Sequence, residues 1–285
     1  MKNKVALITG ASTGVGFETA LLLASKGYKV YATMRNLEKQ DALLEAAKYQ
    51  NVEIMVKSLD VTNTSSINEC VQEIMKDEDT IDILINNAGA GFLRTTEQAT
   101  EEEIMWQLNV NLMGVIRTTK AVLPVMRKNK SGHIVNISSV GGLIGQPFNE
   151  IYCATKFGVE GYTEALASYV QPHFNIKFTS IEPGGIHSEF AKSALAQFEV
   201  SGGMADDEYK PLLEAYIGGA SSRQGNYAYQ TSKEVSEKIV ECVEMQDPPI
   251  RMRTSEWSEE FTKLKTQADP TGKLLQAEVA KLVGK

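Results

Sequence analysis

The sequence predicts an α/β fold in which a doubly wound, mostly parallel sheet of seven strands carries helices on both faces. Short apolar runs rich in Val and Ile recur along the chain, and they are near-continuous, as strands buried on both faces are. Helical patterns fill the gaps between the runs, and this alternation favours right-handed crossover connections. The predicted strands are Val5–Thr9, Lys29–Thr33, Val52–Val56, Ile81–Ile85, His133–Ser138, Ile176–Ile181 and Ile250–Thr254.

Three helices are predicted between these strands. The first follows the first strand directly and is stopped by Gly27, because glycine commonly ends a helix. A second covers 100–127, with Pro124 late in it. A third covers 152–170, and we expect it to end before Pro172, since proline cannot donate a helical hydrogen bond.

No convincing linker divides the 285 residues, so we expect a single domain over 1–285. The strand and helix pattern breaks down over 187–230, which contains two Gly-Gly pairs, and we expect a substrate-covering flap there. The tail 255–285 has the pattern of one or two amphipathic helices, separated near Asp269-Pro270.

Composition narrows the class of protein. Apolar residues make up 42% and charged residues 23% of the chain, as in soluble globular proteins. The net charge of −7 disfavours nucleic acid as a partner. Three widely spaced cysteines indicate neither a disulfide framework nor a zinc site. We find neither a signal peptide nor an apolar run long enough for a membrane span, and we expect a cytoplasmic protein.

A glycine-rich loop connects the first strand to the first helix. Its sequence is Thr9-Gly-Ala-Ser-Thr-Gly-Val-Gly16, which differs from the spacing G-x-G-x-x-G. Glycines permit a tight turn and close approach to a pyrophosphate, and the following helix offers free N–H groups and a favourable dipole. A purely structural turn is the alternative. The loop supplies these predicted dinucleotide-binding residues: Gly10, Ser12, Thr13, Gly14, Val15 and Gly16.

The end of the second strand favours NADP(H), with NAD(H) as the alternative. An NAD-binding fold usually places Asp or Glu there to hold the ribose 2′-hydroxyl. Here Met34 occupies that position, Arg35 follows it, and no carboxylate occurs before Glu38. A guanidinium suits a 2′-phosphate because it binds phosphate through two hydrogen bonds. Arg35 as a solvated surface residue is the other interpretation.

Two further segments are predicted to contact the cofactor. Asp60 and Val61 follow the third strand, where the carboxylate can accept a hydrogen bond from the adenine amino group or can instead cap a helix. After the fourth strand, Asn87, Ala88 and Gly89 let the backbone pass close to the adenosine ribose, and Asn87 can lock the loop.

A candidate acid/base unit lies on the third helix. Tyr152 and Lys156 are four residues apart and therefore share a helix face. A nearby ammonium lowers the pKa of a tyrosine by favouring phenolate, which suits proton transfer. Ser139 follows the fifth strand, at the edge of the sheet where ligands bind, and Asn111 lies within a helix. Taken alone, a structural role is the better explanation both of the pair and of the asparagine.

Together these residues resemble the short-chain dehydrogenase/reductases of the single-domain type, which have a Rossmann fold. The resemblance implies a catalytic tetrad of Asn111, Ser139, Tyr152 and Lys156. Tyr152 would act as general acid/base, Ser139 would hold the substrate oxygen, Lys156 would also hold the nicotinamide ribose, and Asn111 would hold a proton-relaying water. Residues implied to frame the nicotinamide are Pro183, Gly184, Ile186 and Ser188.

Two stretches resemble the branch that contains 17β-hydroxysteroid and retinol dehydrogenases: 139–156 and Val30-Tyr-Ala-Thr-Met-Arg35. This resemblance implies a bulky apolar alcohol or carbonyl compound as the small-molecule substrate. It also implies a homodimer or homotetramer built through the helices at 100–127 and 152–170.

Two other functions remain open at this level. A dinucleotide-binding sensor without turnover would keep the glycine loop but would need no tetrad. An epimerase or dehydratase acting on a nucleotide sugar would use related hydride chemistry. It would usually carry a differently spaced loop and a larger C-terminal domain.

Overall fold

The centre of the molecule is a parallel sheet. A computed structural model describes residues 3–187, 189–200, 202–203, 205–218, 229–274 and 277. In this part of the chain the strands are β1 (Val5–Ile8), β2 (Lys29–Met34), β3 (Ile54–Ser58), β4 (Ile83–Asn86), β5 (Gly132–Ile137), β6 (Ile176–Glu182), β7 (Ile186–His187), β8 (Gln230–Thr231) and β9 (Arg251–Arg253). Seven of them form one sheet in the order β3-β2-β1-β4-β5-β6-β9, and every neighbouring pair is parallel. The predicted fold class is confirmed, and each of the seven strands of this sheet begins and ends within two residues of its predicted bounds. The short strands β7 and β8 were not predicted.

Helices connect the strands and cover both faces of the sheet. Their bounds are α1 (Gly14–Ser25), α2 (Asp41–Tyr49), α3 (Thr64–Asp77), α4 (Glu101–Leu108), α5 (Gly114–Asn129), α6 (Glu150–Phe174), α7 (Glu189–Val200), α8 (Lys210–Gly218), α9 (Ser232–Glu244) and α10 (Glu256–Thr266). The winding reverses between β1 and β4, which are neighbours in the sheet. In open sheets of this kind a crevice forms at the reversal, beyond the carboxyl ends of the strands.

Alternating side chains of each strand divide the interior into two apolar layers. Ala6 and Ile8 of β1 belong to the layer under α1 and α9. Val5 and Leu7 belong to the layer that contains residues of α3, α5 and α6. All four side chains are fully buried, because a central strand of a covered sheet has no solvent-facing side.

The predicted end of α6 before Pro172 is wrong, since the helix continues to Phe174. Pro172 lies in the last turn, where its missing N–H removes a single helical hydrogen bond. Asn175 closes the helix in the left-handed conformation (φ 55°), and its N–H donates to the carbonyl of Gln171 at 2.9 Å. Apolar residues of this helix, such as Leu166 and Val170, remain packed in the interior.

The helical segment predicted over 100–127 contains one local irregularity. A capping box at Thr100 starts α4, and α5 ends at Asn129 with Pro124 inside it. Between them, Asn109–Met113 form one turn of π-helix. Such turns are frequent at functional sites, and this one contains Asn111.

In its described residues, the segment predicted as a flap contains two helices, α7 and α8, and 219–228 lie outside the described residues. Its ends are joined by the parallel pairing of β7 with β8, in which Ile186 lies opposite Gln230. Phe198 of α7 and Leu213 of α8 are buried together with Phe148 in a third apolar cluster. Of the predicted C-terminal tail, 275–276 and 278–285 lie outside the described residues. No helix in the described part of the chain is long and apolar enough to cross a membrane.

Candidate active site

The glycine loop turns tightly between β1 and α1. Gly10 (φ +69°) and Gly14 (φ +63°) adopt the left-handed conformation that favours glycine. A Cβ atom on Gly10 would lie 2.8 Å from Cα of Ala88, and a Cβ atom on Gly16 would lie 2.5 Å from the carbonyl oxygen of Gly10. Backbone thus approaches backbone at positions that admit only glycine.

Asn87 ties the glycine loop to the end of β4. Its Nδ2 donates to the carbonyl oxygens of Thr9 (3.0 Å) and Gly10 (2.9 Å). The backbone N–H groups of Asn87 and Ala88 both donate to Oγ1 of Thr9, at 3.1 and 3.0 Å. These four bonds hold the two segments of the crevice at a fixed separation.

The N-terminus of α1 has the features of an anion site. Thr13 precedes the helix in extended conformation (φ −155°), and its side chain does not cap the helix. The first turn contains no acidic residue, and Ser12 is half-buried beside it. A helix start with uncapped N–H groups and no carboxylate favours a negatively charged ligand. The residues present therefore fit a dinucleotide pyrophosphate.

Beyond β2 the first exposed side chain is cationic. Met34 is buried, whereas Arg35 is exposed. The nearest following carboxylate, Glu38, accepts a hydrogen bond from the side chain of Asn36 at 3.2 Å. The end of this strand thus carries a guanidinium one residue after Met34, the position at which NAD-binding folds usually carry an acid.

Asp60 forms a turn rather than a helix cap. Its Oδ1 accepts hydrogen bonds from the backbone N–H (2.9 Å) and the hydroxyl (2.7 Å) of Thr62. The cap of α3 is Asn63, so the alternative of Asp60 as a helix cap is wrong. The neighbouring Val61 is buried against Gly114 of α5, where a Cβ atom would lie 3.0 Å from Cβ of Val61.

Ser139 and Tyr152 meet beyond the carboxyl end of β5. Oγ of Ser139 accepts a hydrogen bond from the N–H of Gly141 at 3.0 Å. Burial raises the pKa of Tyr152 to about 12, and a hydrogen bond with Ser139 partly opposes this rise. In this structure burial therefore outweighs the lowering of the tyrosine pKa that the sequence led us to expect. Tyr152 is protonated at neutral pH and is able to donate.

Lys156 lies one helical turn after Tyr152 and is buried. Its Nζ lies 5.7 Å from the centroid of the Tyr152 ring and donates to the carbonyl oxygen of Ile137 at 2.8 Å. Burial lowers the pKa of Lys156 to about 8, and the nearby carboxylate of Glu160 opposes that shift. The ammonium is thus held close to the tyrosine at an appreciable desolvation cost.

Asn111 is fully buried, and both atoms of its amide bind the backbone of Ala90. Oδ1 accepts from the Ala90 N–H and Nδ2 donates to the Ala90 carbonyl, each at 2.8 Å. A Cβ atom on Gly89 would lie 3.3 Å from Oδ1 of Asn111 and 3.9 Å from Nζ of Lys156. The structure thus brings both side chains close to Gly89. The role of Asn111 in holding a water stays a prediction.

The turn after β6 packs against the Ser139 segment. The N–H of Val140 donates to the carbonyl oxygen of Pro183 at 2.9 Å. Gly184 gives room for the Trp257 ring of α10, because a Cβ atom there would lie 2.4 Å from that ring. Ile186 is half-buried in β7, while Ser188 lies outside the described residues.

Two aromatic residues at the site were missed in the sequence. The ring of Phe190, from α7, lies 6.1 Å from the Tyr152 ring in an edge-on arrangement. Trp257 packs against Gly184 and stacks on Phe261 at 4.8 Å. Neither belongs to a motif, so only the three-dimensional packing connects them with the site.

Comparison with known proteins gives consistent matches. The family model for short chain dehydrogenase matches residues 4–198. A 3-ketodihydrosphingosine reductase from Bacteroides thetaiotaomicron is 38% identical over 253 residues, covering 89% of this chain and 88% of the relative. Retinol dehydrogenase 8 from Homo sapiens is 35% identical over 277 residues, covering 95% and 87%. The 17-beta-hydroxysteroid dehydrogenase type 1 from Homo sapiens is 35% identical over 263 residues, covering 90% and 79%.

Solved structures show the same architecture. A short-chain dehydrogenase from Streptomyces avermitilis superposes with a TM-score of 0.77 at 26% identity, covering 100% of both chains. A variant of the actinorhodin polyketide ketoreductase with NADPH gives a TM-score of 0.75 at 27% identity, covering 88% of this chain and 95% of that one.

Proposed function

The chain belongs to the short-chain dehydrogenases, a family of nicotinamide-dependent oxidoreductases, and we propose that it interconverts an alcohol and a carbonyl compound with Tyr152 as the general acid/base. One observation carries the proposal. Ser139, Tyr152 and Lys156 converge beyond the carboxyl end of β5, with the Nζ of Lys156 5.7 Å from the tyrosine ring.

The proposed reaction assigns one task to each side chain. In the direction of reduction, the protonated Tyr152 donates its hydroxyl proton to the substrate oxygen as hydride reaches the carbonyl carbon. Ser139 donates a hydrogen bond to the same oxygen and stabilises its developing negative charge. Lys156 offsets the charge left on Tyr152 after the proton transfer. In oxidation, Tyr152 takes the proton back.

A nicotinamide dinucleotide, when bound, supplies or accepts the hydride. The residues proposed to hold it come from the crevice between β1 and β4 and from the neighbouring strand ends. They are Gly10, Ser12, Thr13, Gly14, Val15, Gly16, Arg35, Asp60, Val61, Asn87, Ala88, Gly89, Tyr152, Lys156, Pro183, Gly184, Ile186 and Ser188.

We propose that NADP(H) is preferred over NAD(H). The exposed guanidinium of Arg35 and the absence of an acid at Met34 support this preference. Glu38 does not replace that acid, because it lies in the short helical turn after the strand and accepts a hydrogen bond from Asn36.

We propose a bulky, largely apolar substrate. Phe190 of α7 presents an aromatic ring beside Tyr152. The same flap segment contributes Phe198 and Leu213 to an apolar cluster with Phe148. Three of the relatives are named for 3-ketodihydrosphingosine, retinol and a 17-beta-hydroxysteroid. These are mainly hydrocarbon molecules with an alcohol or ketone group, which suits such walls.

We further propose a homodimer or homotetramer through the α4–α5 and α6 helices. Large apolar side chains are exposed on these elements, namely Met105, Trp106, Met113, Phe157 and Tyr169. Light scattering of the purified protein tests this proposal, and a strictly monomeric mass at micromolar concentration would contradict it.

Turnover of purified protein tests the function. Oxidation of NADPH or NADH is followed by absorbance with a panel of apolar ketones and aldehydes, including steroid and retinoid carbonyls. We expect consumption of NADPH to exceed that of NADH. A clear preference for NADH would refute the proposed role of Arg35 and leave the proposed reaction standing. Binding of both cofactors without any turnover would favour the sensor function.

A further inference from the structure

The buried carboxyl group of Glu160 lies next to the proposed acid/base pair of Tyr152 and Lys156. Glu160 follows Lys156 by one turn of α6 and therefore lies on the same helix face. Its side chain is only 5% exposed. A Cβ atom on Gly142 would lie 3.0 Å from Cγ of Glu160, whereas one on Gly141 would lie 3.2 Å from Cε1 of Tyr152. The short turn after Ser139 thus contacts the acid/base site on one side and Glu160 on the other.

The neighbouring carboxyl group, that of Glu182, already forms an ion pair with Arg253. Glu182, at the end of β6, is fully buried, and its Oε2 lies 3.2 Å from the guanidinium of Arg253. Arg253 also lies 2.9 Å from Glu259 of α10 and donates to the carbonyl of Pro270. The positive charge of Arg253 is therefore shared between Glu182, Glu259 and the carbonyl of Pro270.

Groups from four elements face Glu160. On its own helix these are Lys156 and Glu164, and from β6 the carboxyl of Glu182. Arg251 of β9 also acts on it, but that guanidinium lies 3.8 Å from both Glu164 and Asp269. The hydroxyls of Ser138, after β5, and Ser180, in β6, also act on it and favour its ionised form. Neither reaches hydrogen-bond geometry, and both carboxyl oxygens of Glu160 are buried without a hydrogen-bond partner among the described residues.

Each of the two guanidinium groups near Glu160 faces two other carboxyl groups. Arg253 lies close to Glu182 and Glu259, and Arg251 lies close to Glu164 and Asp269. Among the described residues of the cluster, Lys156 and Glu160 are then the remaining opposite charges. An isolated buried charge is costly, so each of the two favours ionisation of the other.

We propose that Glu160 is a positioning residue for the reaction, a buried counter-charge that keeps the ammonium of Lys156 protonated beside Tyr152. The inference rests on the proposed function, because Lys156 matters only if Tyr152 transfers a proton. It adds a requirement that the tetrad alone does not contain: the acid/base site depends on a carboxylate that does not touch the substrate.

The direction in which the pH profile of activity shifts follows from the pKa values of Glu160 and Lys156. Burial raises the pKa of Glu160 to about 7 and lowers that of Lys156 to about 8. Loss of the Glu160 charge lowers the pKa of Lys156 further, because that charge opposes the desolvation shift. Activity that needs the ammonium then declines at a lower pH.

The test compares pH profiles of kcat/KM for carbonyl reduction at saturating cofactor in wild type, Glu160→Gln and Glu164→Gln. Glu164 is the matched control, since it lies one turn further along α6 and faces Arg251. We expect the alkaline decline of Glu160→Gln to move down by roughly one pH unit, while that of Glu164→Gln coincides with wild type. A loss of equal size at every pH, or an unmoved decline, would overturn the proposal.

A second measurement needs no activity. Side-chain carboxyl NMR of glutamate-labelled protein follows the Glu160 carboxyl, which is assigned as the signal absent from Glu160→Gln because burial also raises the pKa of Glu164 and Glu182. Its midpoint should lie near neutral pH and should be higher in Lys156→Met, because the ammonium that favours ionisation is gone. An unchanged midpoint would overturn the inference. If this coupling is present but wild type reduces no carbonyl compound, the proposed function fails and the charge pairing stands.

Discussion

Replacing Lys156 with methionine should stabilise the protein while removing its proposed activity. The pKa of Lys156 falls from 10.5 to about 8 on folding. Each unit corresponds to about 1.4 kcal/mol, so carrying the ammonium in the folded state costs on the order of 3 kcal/mol at neutral pH. The lost hydrogen bond to the carbonyl of Ile137 offsets about 1 kcal/mol of that gain. We therefore expect a net gain of about 2 kcal/mol in the free energy of unfolding.

Urea unfolding at several pH values measures this gain and its sign. Because the folded-state pKa lies below the unfolded one, the unfolded chain binds more protons between about pH 8 and 10.5, and wild-type stability rises through that window. The advantage of Lys156→Met should be full below pH 8 and should be lost before pH 10.5, because the missing hydrogen bond to Ile137 remains when the desolvation cost has gone. Lys177→Met is the matched control, because Lys177 also donates to backbone carbonyls but is partly exposed. A variant less stable than wild type at neutral pH, or an advantage unchanged across the window, would refute the reasoning.

Three further substitutions, the first with a matched control, test other parts of the protein. Gly16→Ala should lose dinucleotide affinity and at least 1 kcal/mol of stability, because a Cβ atom there meets loop atoms at 2.4–2.5 Å. Gly161→Ala, in open space on α6, should instead gain about 0.5–1 kcal/mol in urea unfolding. Arg35→Ser should raise KM for NADPH roughly 10-fold or more and leave KM for NADH nearly unchanged; equal effects on both would contradict a 2′-phosphate contact. Arg253→Met should cost about 3–5 kcal/mol at neutral pH by leaving buried Glu182 unpaired, and a loss below 1 kcal/mol would show that the pair is not needed.

The sheet could be predicted from the sequence because buried parallel strands leave a local signature. Val5–Ile8 is apolar at every position, and all four residues are buried. The ends of helices leave a weaker signature in the sequence than buried strands do. Pro172 breaks the local rule for helix interiors, yet it lies in the last turn of α6, where it costs one hydrogen bond while the helix remains packed on the sheet.

The proposed active-site motifs were visible in the sequence since their residues are spaced along single elements. The spacing of Tyr152 and Lys156 follows from helical periodicity alone. Glu182 and Arg253 meet only because β6 and β9 are neighbours at the edge of the sheet. Phe190 reaches Tyr152 through the path of the flap segment, which no local pattern specifies. Contacts between distant segments are therefore the part that sequence patterns could not supply.

The protonation state of Tyr152 depends on how deeply the fold buries its side chain. The sequence led us to expect an ammonium that lowers the pKa of Tyr152, whereas burial raises it to about 12. A neutral tyrosine can donate a proton, which is the state that carbonyl reduction requires. The energetic balance between desolvation and a neighbouring charge requires distances that the motif does not contain.

The central claim is that Tyr152 transfers the proton, and Tyr152→Phe tests it most directly. The measurement is single-turnover reduction of an active carbonyl substrate by enzyme saturated with reduced cofactor, together with cofactor affinity by fluorescence. We predict that the variant binds cofactor within about twofold of wild type and reduces the substrate at least 100-fold more slowly. Reduction at the wild-type rate by a variant that binds cofactor normally would contradict the assignment.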